Sequence, residues 1–90
     1  MQQEDLDILR ARIDQVDQKI LEILSVRFEI VSEIAHVKKG LILPTLQEDR
    51  KKQVIAKWKG NATALSLDPM FAEKLFELIH AESVRQQDMK

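Results

Sequence analysis

Arg27 interrupts an apolar pattern. Ile20 lies seven residues before it, and Ile30, Ile34 and Val37 resume the pattern after it, so a guanidinium stands where a helical seam should be hydrophobic. Lys38 follows eleven residues later, three turns plus about 20° of rotation, which puts both cations on one helical face. Their roots lie about 16 Å apart along the axis, and two long stems can lean toward one anion. Further along, Ser83 and Gln87 extend the stripe Ala72, Phe76, Ile79, setting a hydroxyl and an amide on the inward side of a helix. Cations and amides of this kind suit a small polycarboxylate and a reaction that needs charge stabilisation more than a nucleophile. The competing readings are a solvated charge face for the two cations and a helix end turning polar for Ser83 and Gln87.

Arg10 is seventeen residues before Arg27, about 25 Å along a helix and about 100° around it, so the two cannot serve one site from the same helix. In an antiparallel dimer of long helices, Arg10 of one chain would reach the Arg27 site of the other. The bland alternative is an exposed arginine beside Arg12. The run Gln47-Glu48-Asp49-Arg50-Lys51-Lys52 reads as a helix start with acids first, and Arg50 is expected on its inward face. His36 and His80 have no metal-ligand spacing and are expected at the surface or rim. There is no glycine-rich phosphate loop, metal cluster or Ser-His-Asp order, and cysteine is absent, so neither cofactor nor metal is expected.

Helices must position these groups. The two glycines and two prolines fall in two places, Gly40 with Pro44 and Gly60 with Pro69, dividing the 90 residues into three segments. All three show apolar residues at steps of three and four, which predicts an all-α fold of one long and two shorter helices in a single domain, residues 1–90. The first segment, about Glu4 to Lys39, carries Leu6, Leu9, Ile13, Val16, Ile20 and Ile23 as a heptad-like seam. Such a helix is about 50 Å long, against about 30 Å for a compact domain of this size. Exposing its seam is unfavourable at roughly 25 cal/mol per Å² of apolar surface, so a second copy of the chain is the expected cover. The second segment starts at Thr45 with a T-x-x-E capping box to Glu48, and its inward face should run Gln47, Arg50 or Lys51, Val54, Trp58. The third starts at Leu67-Asp68-Pro69, with Asp68 as N-cap and Pro69 at the first helical position. The methionines and phenylalanines are expected in the core.

A hydrophobic content of 44% and a charged content of 32% describe a globular chain, and a formal charge of −1 gives no global field for nucleic acid. The acids and glutamines before Leu9 do not resemble a secretory signal, and no stretch nears the roughly 20 apolar residues of a membrane span. A cytoplasmic protein without nucleic-acid or membrane partners is expected.

Several motifs recur together: L-R-x-x-I-D-x-x-D from Leu9 to Asp17, I-L-x-I-L-x-x-R to Arg27, V-x-x-x-x-x-x-K to Lys38, P-x-x-x-x-x-R to Arg50, L-D-P at Leu67, and S-x-x-x-Q from Ser83 to Gln87. Together they resemble the all-helical (AroQ-type) chorismate mutases across essentially the whole chain. The resemblance implies an intertwined homodimer of three-helix chains that converts chorismate to prephenate in phenylalanine and tyrosine biosynthesis. It also implies roles: Arg10 from the partner chain and Arg27 on the substrate carboxylates, Lys38 and Gln87 on the ether oxygen whose bond breaks, Arg50 and Ser83 at the carboxylate end, Gln47 near the ring hydroxyl. Two positions depart from the family pattern, which often has Asp at Gln47 and Glu at Lys51. A rim position is expected for Lys51, its ammonium carried to solvent. Isochorismate-pyruvate lyase shares this kind of helical dimer and cationic pocket, and a non-catalytic dimerisation or regulatory module on the same fold is a third reading.

Overall fold

A computed structural model of the chain describes residues 3–41 and 48–88. Three helices account for nearly all of them: α1 (Gln3–Leu41), α2 (Glu48–Ala64) and α3 (Pro69–Asp88). Among the described residues there is no strand, and no helix is long and apolar enough to cross a membrane. The expected capping box at Thr45 and the candidate site residue Gln47 lie outside the described residues. By its contacts the chain divides into residues 1–33 and residues 34–90.

The first unit lies within α1, which runs for 39 residues without interruption and passes through Gly40, one of the expected breaks. Acidic Glu4 and Asp5 in its first turn and basic Lys38 and Lys39 in its last suit the helix dipole. The heptad-like seam is largely open to solvent: Ile13, Val16, Ile20 and Ile23 are each more than half exposed. Beside it runs a second stripe of partly covered residues, Leu24, Arg27, Phe28, Val31, Ser32, Ala35 and Lys38.

In the second unit α2 packs against α3 as an antiparallel hairpin. Ala62, Ala72, Phe76 and Ile79 form its buried core, and Trp58 meets Phe76 edge to face at 5.4 Å between ring centres. Small alanines on both helices let the backbones approach, while the aromatic pair fills the space further along. Salt bridges at the flank join Lys59 to Glu73 at 3.4 Å and Lys51 to Glu77 at 3.3 Å.

The turn between these helices differs from the expected one. Gly60 does not break the chain but lies inside α2, and a Cβ there would meet nothing within 4 Å. The helix stops instead at Ser66, whose φ of 62° is left-handed. Leu67 N–H donates to the Ala62 carbonyl at 2.8 Å and Ser66 N–H to the Thr63 carbonyl at 3.1 Å. These two bonds form a Schellman motif with serine in the position usually held by glycine. Asp68 then caps α3 as expected, its Oδ1 accepting from Met70 N–H at 2.9 Å.

The expectation that every methionine and phenylalanine is core fails for Met70 and Phe71, which are 51% and 55% exposed. Both lie on α3 away from the buried stripe, so the hairpin alone cannot cover them.

Candidate active site

On α3 the stripe Ala72, Phe76, Ile79 ends in Ser83, the one buried polar side chain among the described residues. Its hydroxyl donates to the carbonyl of Ile79 at 3.0 Å, satisfying the buried O–H within its own helix and leaving oxygen lone pairs for another partner. Gln87, one turn further on, is half-buried. The pair expected from spacing therefore does share the inward face.

Arg27 and Lys38 are both partly covered on α1, in keeping with the shared face expected for them. Burial lowers the Arg27 pKa from its ordinary value, yet an arginine stays protonated across the physiological range. A partly desolvated guanidinium is a stronger anion partner than a fully hydrated one, since less water must leave when a carboxylate arrives. Arg10, by contrast, is exposed, and the helical offset from Arg27 keeps the two apart on their shared helix.

At the start of α2 the expectation for Arg50 is corrected. Arg50 is exposed, and the inward position belongs to Lys51, followed by Val54, Ile55, Trp58 and Ala62. The packing of α2 on α3 selects Lys51 because it lies seven residues, about two turns, from Trp58, whereas Arg50 is rotated about 100° away. Lys51 is half-buried and ion-paired to Glu77 at 3.3 Å. Spacing within α3 does not mark Glu77. The available signal was a charge match: two lysines on α2, Lys51 and Lys59, facing two glutamates one turn apart on α3, Glu77 and Glu73. His80 is a rim residue, stacked on Phe76 at 5.7 Å, and His36 is exposed.

The turn end of the hairpin holds an open apolar groove of about 200 Å³ lined by Trp58, Ala62, Leu65, Phe71 and Leu75 among others. It has no cation in its lining, so it does not suit a dicarboxylate. Among the described residues no group of three or more His, Asp or Glu side chains could hold a metal ion.

These elements define a class: a helical chain with an apolar seam left open on a long helix, and polar side chains partly covered on its helical faces. The family model for chorismate mutase type II matches residues 9–88, and the chain belongs to that family. It is 31% identical over 86 residues to the T-protein of Enterobacter agglomerans, a match covering 96% of this chain and 23% of that protein. It is 34% identical over 83 residues to 4-amino-4-deoxychorismate mutase of Streptomyces pristinaespiralis, covering 92% of this chain and 64% of the relative. With the chorismate mutase of Methanocaldococcus jannaschii it shares 24% identity over 86 residues, 93% of this chain and 87% of that one. The chain thus spans about a quarter of the first relative and just under two thirds of the second.

Proposed function

We propose that the chain is a chorismate mutase that rearranges chorismate to prephenate as a homodimer, with Arg10 of each protomer completing the site of the other. The observation that carries this reading is the partly desolvated Arg27 on a mostly apolar stripe, with Lys38 three turns further along it. A desolvated guanidinium offers bidentate recognition of a carboxylate, and a second cation on the same face offers a donor at a distance.

The reaction is an intramolecular rearrangement in which one C–O bond breaks as one C–C bond forms, with no proton or group exchanged with the protein. The site must hold the substrate in its compact conformer and stabilise the negative charge that grows on the ether oxygen. Arg27 and the partner subunit's Arg10 would clamp the two carboxylates, fixing the pose. Lys38 and Gln87 would donate to the ether oxygen. Ser83 would line the carboxylate end, and Gln47 the ring hydroxyl.

The seam of α1 supports the homodimer: Leu9, Ile13, Val16, Ile20 and Ile23 are exposed on one chain, and only another apolar surface removes them from water. Incubating purified protein with chorismate tests the reaction. Its ultraviolet absorbance should fall as prephenate accumulates. Salicylate and pyruvate would instead identify the lyase, and unchanged chorismate would leave a non-catalytic module.

A further inference from the structure

Lys51 and Glu77 are not level with each other on the hairpin. Trp58 packs against Phe76, and Lys59 pairs with Glu73, so moving back along α2 moves forward along α3. Lys51 lies seven residues before Trp58, and seven residues after Phe76 is Ser83. The two pairs thus place the Lys51 backbone opposite the stretch from Ala81 to Ser83, close to the level of the buried hydroxyl. Its side chain, however, reaches back toward the turn end to meet Glu77 at 3.3 Å. Glu77 is six residues before Ser83, about 9 Å along the helix axis. Side chains on a helix lean naturally toward its N-terminus, which on α2 is the Ser83 and Gln87 end. Lys51 leans the other way.

From this geometry we infer that Glu77 is a positioning residue: it holds the Lys51 ammonium away from the level of Ser83 and Gln87 and so keeps one additional cation out of the anion site. The inference rests on the proposed reaction, because it concerns the same site and its dianionic substrate. The proposed site already counts Arg27 and Lys38 as its cations. A further ammonium near the carboxylates would bind substrate and transition state alike, lowering KM without raising kcat. Glu77 offers Lys51 an alternative anion. The pair is partly exposed, with side-chain exposures of 28% and 45%, so it holds Lys51 only weakly. Exposed pairs of this kind shift an equilibrium by no more than about fivefold.

Steady-state kinetics on chorismate test this in five forms of the protein: wild type, Glu77→Gln, Glu77→Asp, Lys51→Met and the Lys51→Met/Glu77→Gln double variant. Glu77→Gln should lower KM about two- to fivefold with kcat within about twofold. Glu77→Asp, which keeps the charge, should stay close to wild type in KM. In the Lys51→Met background the Gln substitution should have no effect, and high salt should erase the difference between wild type and Glu77→Gln. A KM that is unchanged or raised in Glu77→Gln, or that falls equally without Lys51, overturns the inference while leaving the reaction intact. A wild-type chain that binds chorismate without converting it overturns the proposed reaction, and the inference with it.

Discussion

The hydroxyl of Ser83 is bonded to the carbonyl of Ile79, 3.0 Å away on its own helix. To donate to a substrate carboxylate it would have to give up that bond. It can accept a hydrogen bond from a bound group or an arginine at no such cost. Its contribution to binding should therefore be small. Ser83→Ala is expected to reduce kcat/KM by less than about tenfold, and to change stability by no more than about 1 kcal/mol because no buried group loses its partner. A larger loss of activity at unchanged stability would show that the hydroxyl turns to donate when substrate binds.

Sharing of Arg10 between chains gives a sharper outcome. Light scattering should return about twice the chain mass of 10.4 kDa. Arg10→Ala and Arg27→Ala should each be nearly inactive as homodimers. Refolded together they should regain activity, since the mixed dimer has one site with both arginines and one with neither. Absence of recovery despite demonstrated subunit exchange would mean that Arg10 acts within its own chain or not at all.

Lys38 should act on the transition state more than on the substrate. Removing a donor to a developing oxyanion commonly lowers kcat by about 10²–10³. Lys38→Ala should show a loss of that order with a much smaller rise in KM. An effect confined to KM would make Lys38 a simple anion contact.

Two positions in the hairpin leave stability unused. Gly60 is exposed inside α2 with open space where a Cβ would go, so Gly60→Ala should stabilise by about 0.5–1 kcal/mol. Ser66 holds a left-handed φ of 62°, and Ser66→Gly should relieve up to about 1 kcal/mol of that strain. Both should raise the urea midpoint with m unchanged, at fixed chain concentration.

Acid should act on α3 through Glu82. Its carboxyl is lowered from 4.5 to about 2, first by the hydrogen bond from Arg85, then by that from Gln86, with the Arg85 charge adding to them. A lowered carboxylate stabilises the fold above its unfolded value and loses that contribution as pH falls toward the folded one. Thermal melting of wild type and Glu82→Gln should thus differ above pH about 4.5 and converge near pH 2. A constant difference across that range would remove Glu82 from the acid response.

Periodicity made the three helices legible, and with them the inward run Ala72, Phe76, Ile79, Ser83, because each of these residues is placed by its own helix. Asp68 was legible for the same reason, as an N-cap acts through backbone groups two residues away. The end of α2 was not: glycine is the usual sign of a left-handed stop, and here the stop is a serine while the nearby Gly60 is helical. Met70 and Phe71 defeat the core expectation because composition says that a residue is apolar without saying what will cover it. Lys51 and Glu77 required the register between two helices, which spacing within one helix does not contain.

Trp58 is the only tryptophan in a chain without tyrosine, and it is held edge to face against Phe76 at the joint of α2 and α3. Nearly all intrinsic ultraviolet emission must come from that joint, and none from the seam of α1. Dilution can therefore be followed with two independent signals, scattered light for the number of chains together and indole emission for the closure of one hairpin. If emission holds steady while the mass halves, the hairpin is a folding unit that precedes assembly. If both change together, each chain borrows its order from the other.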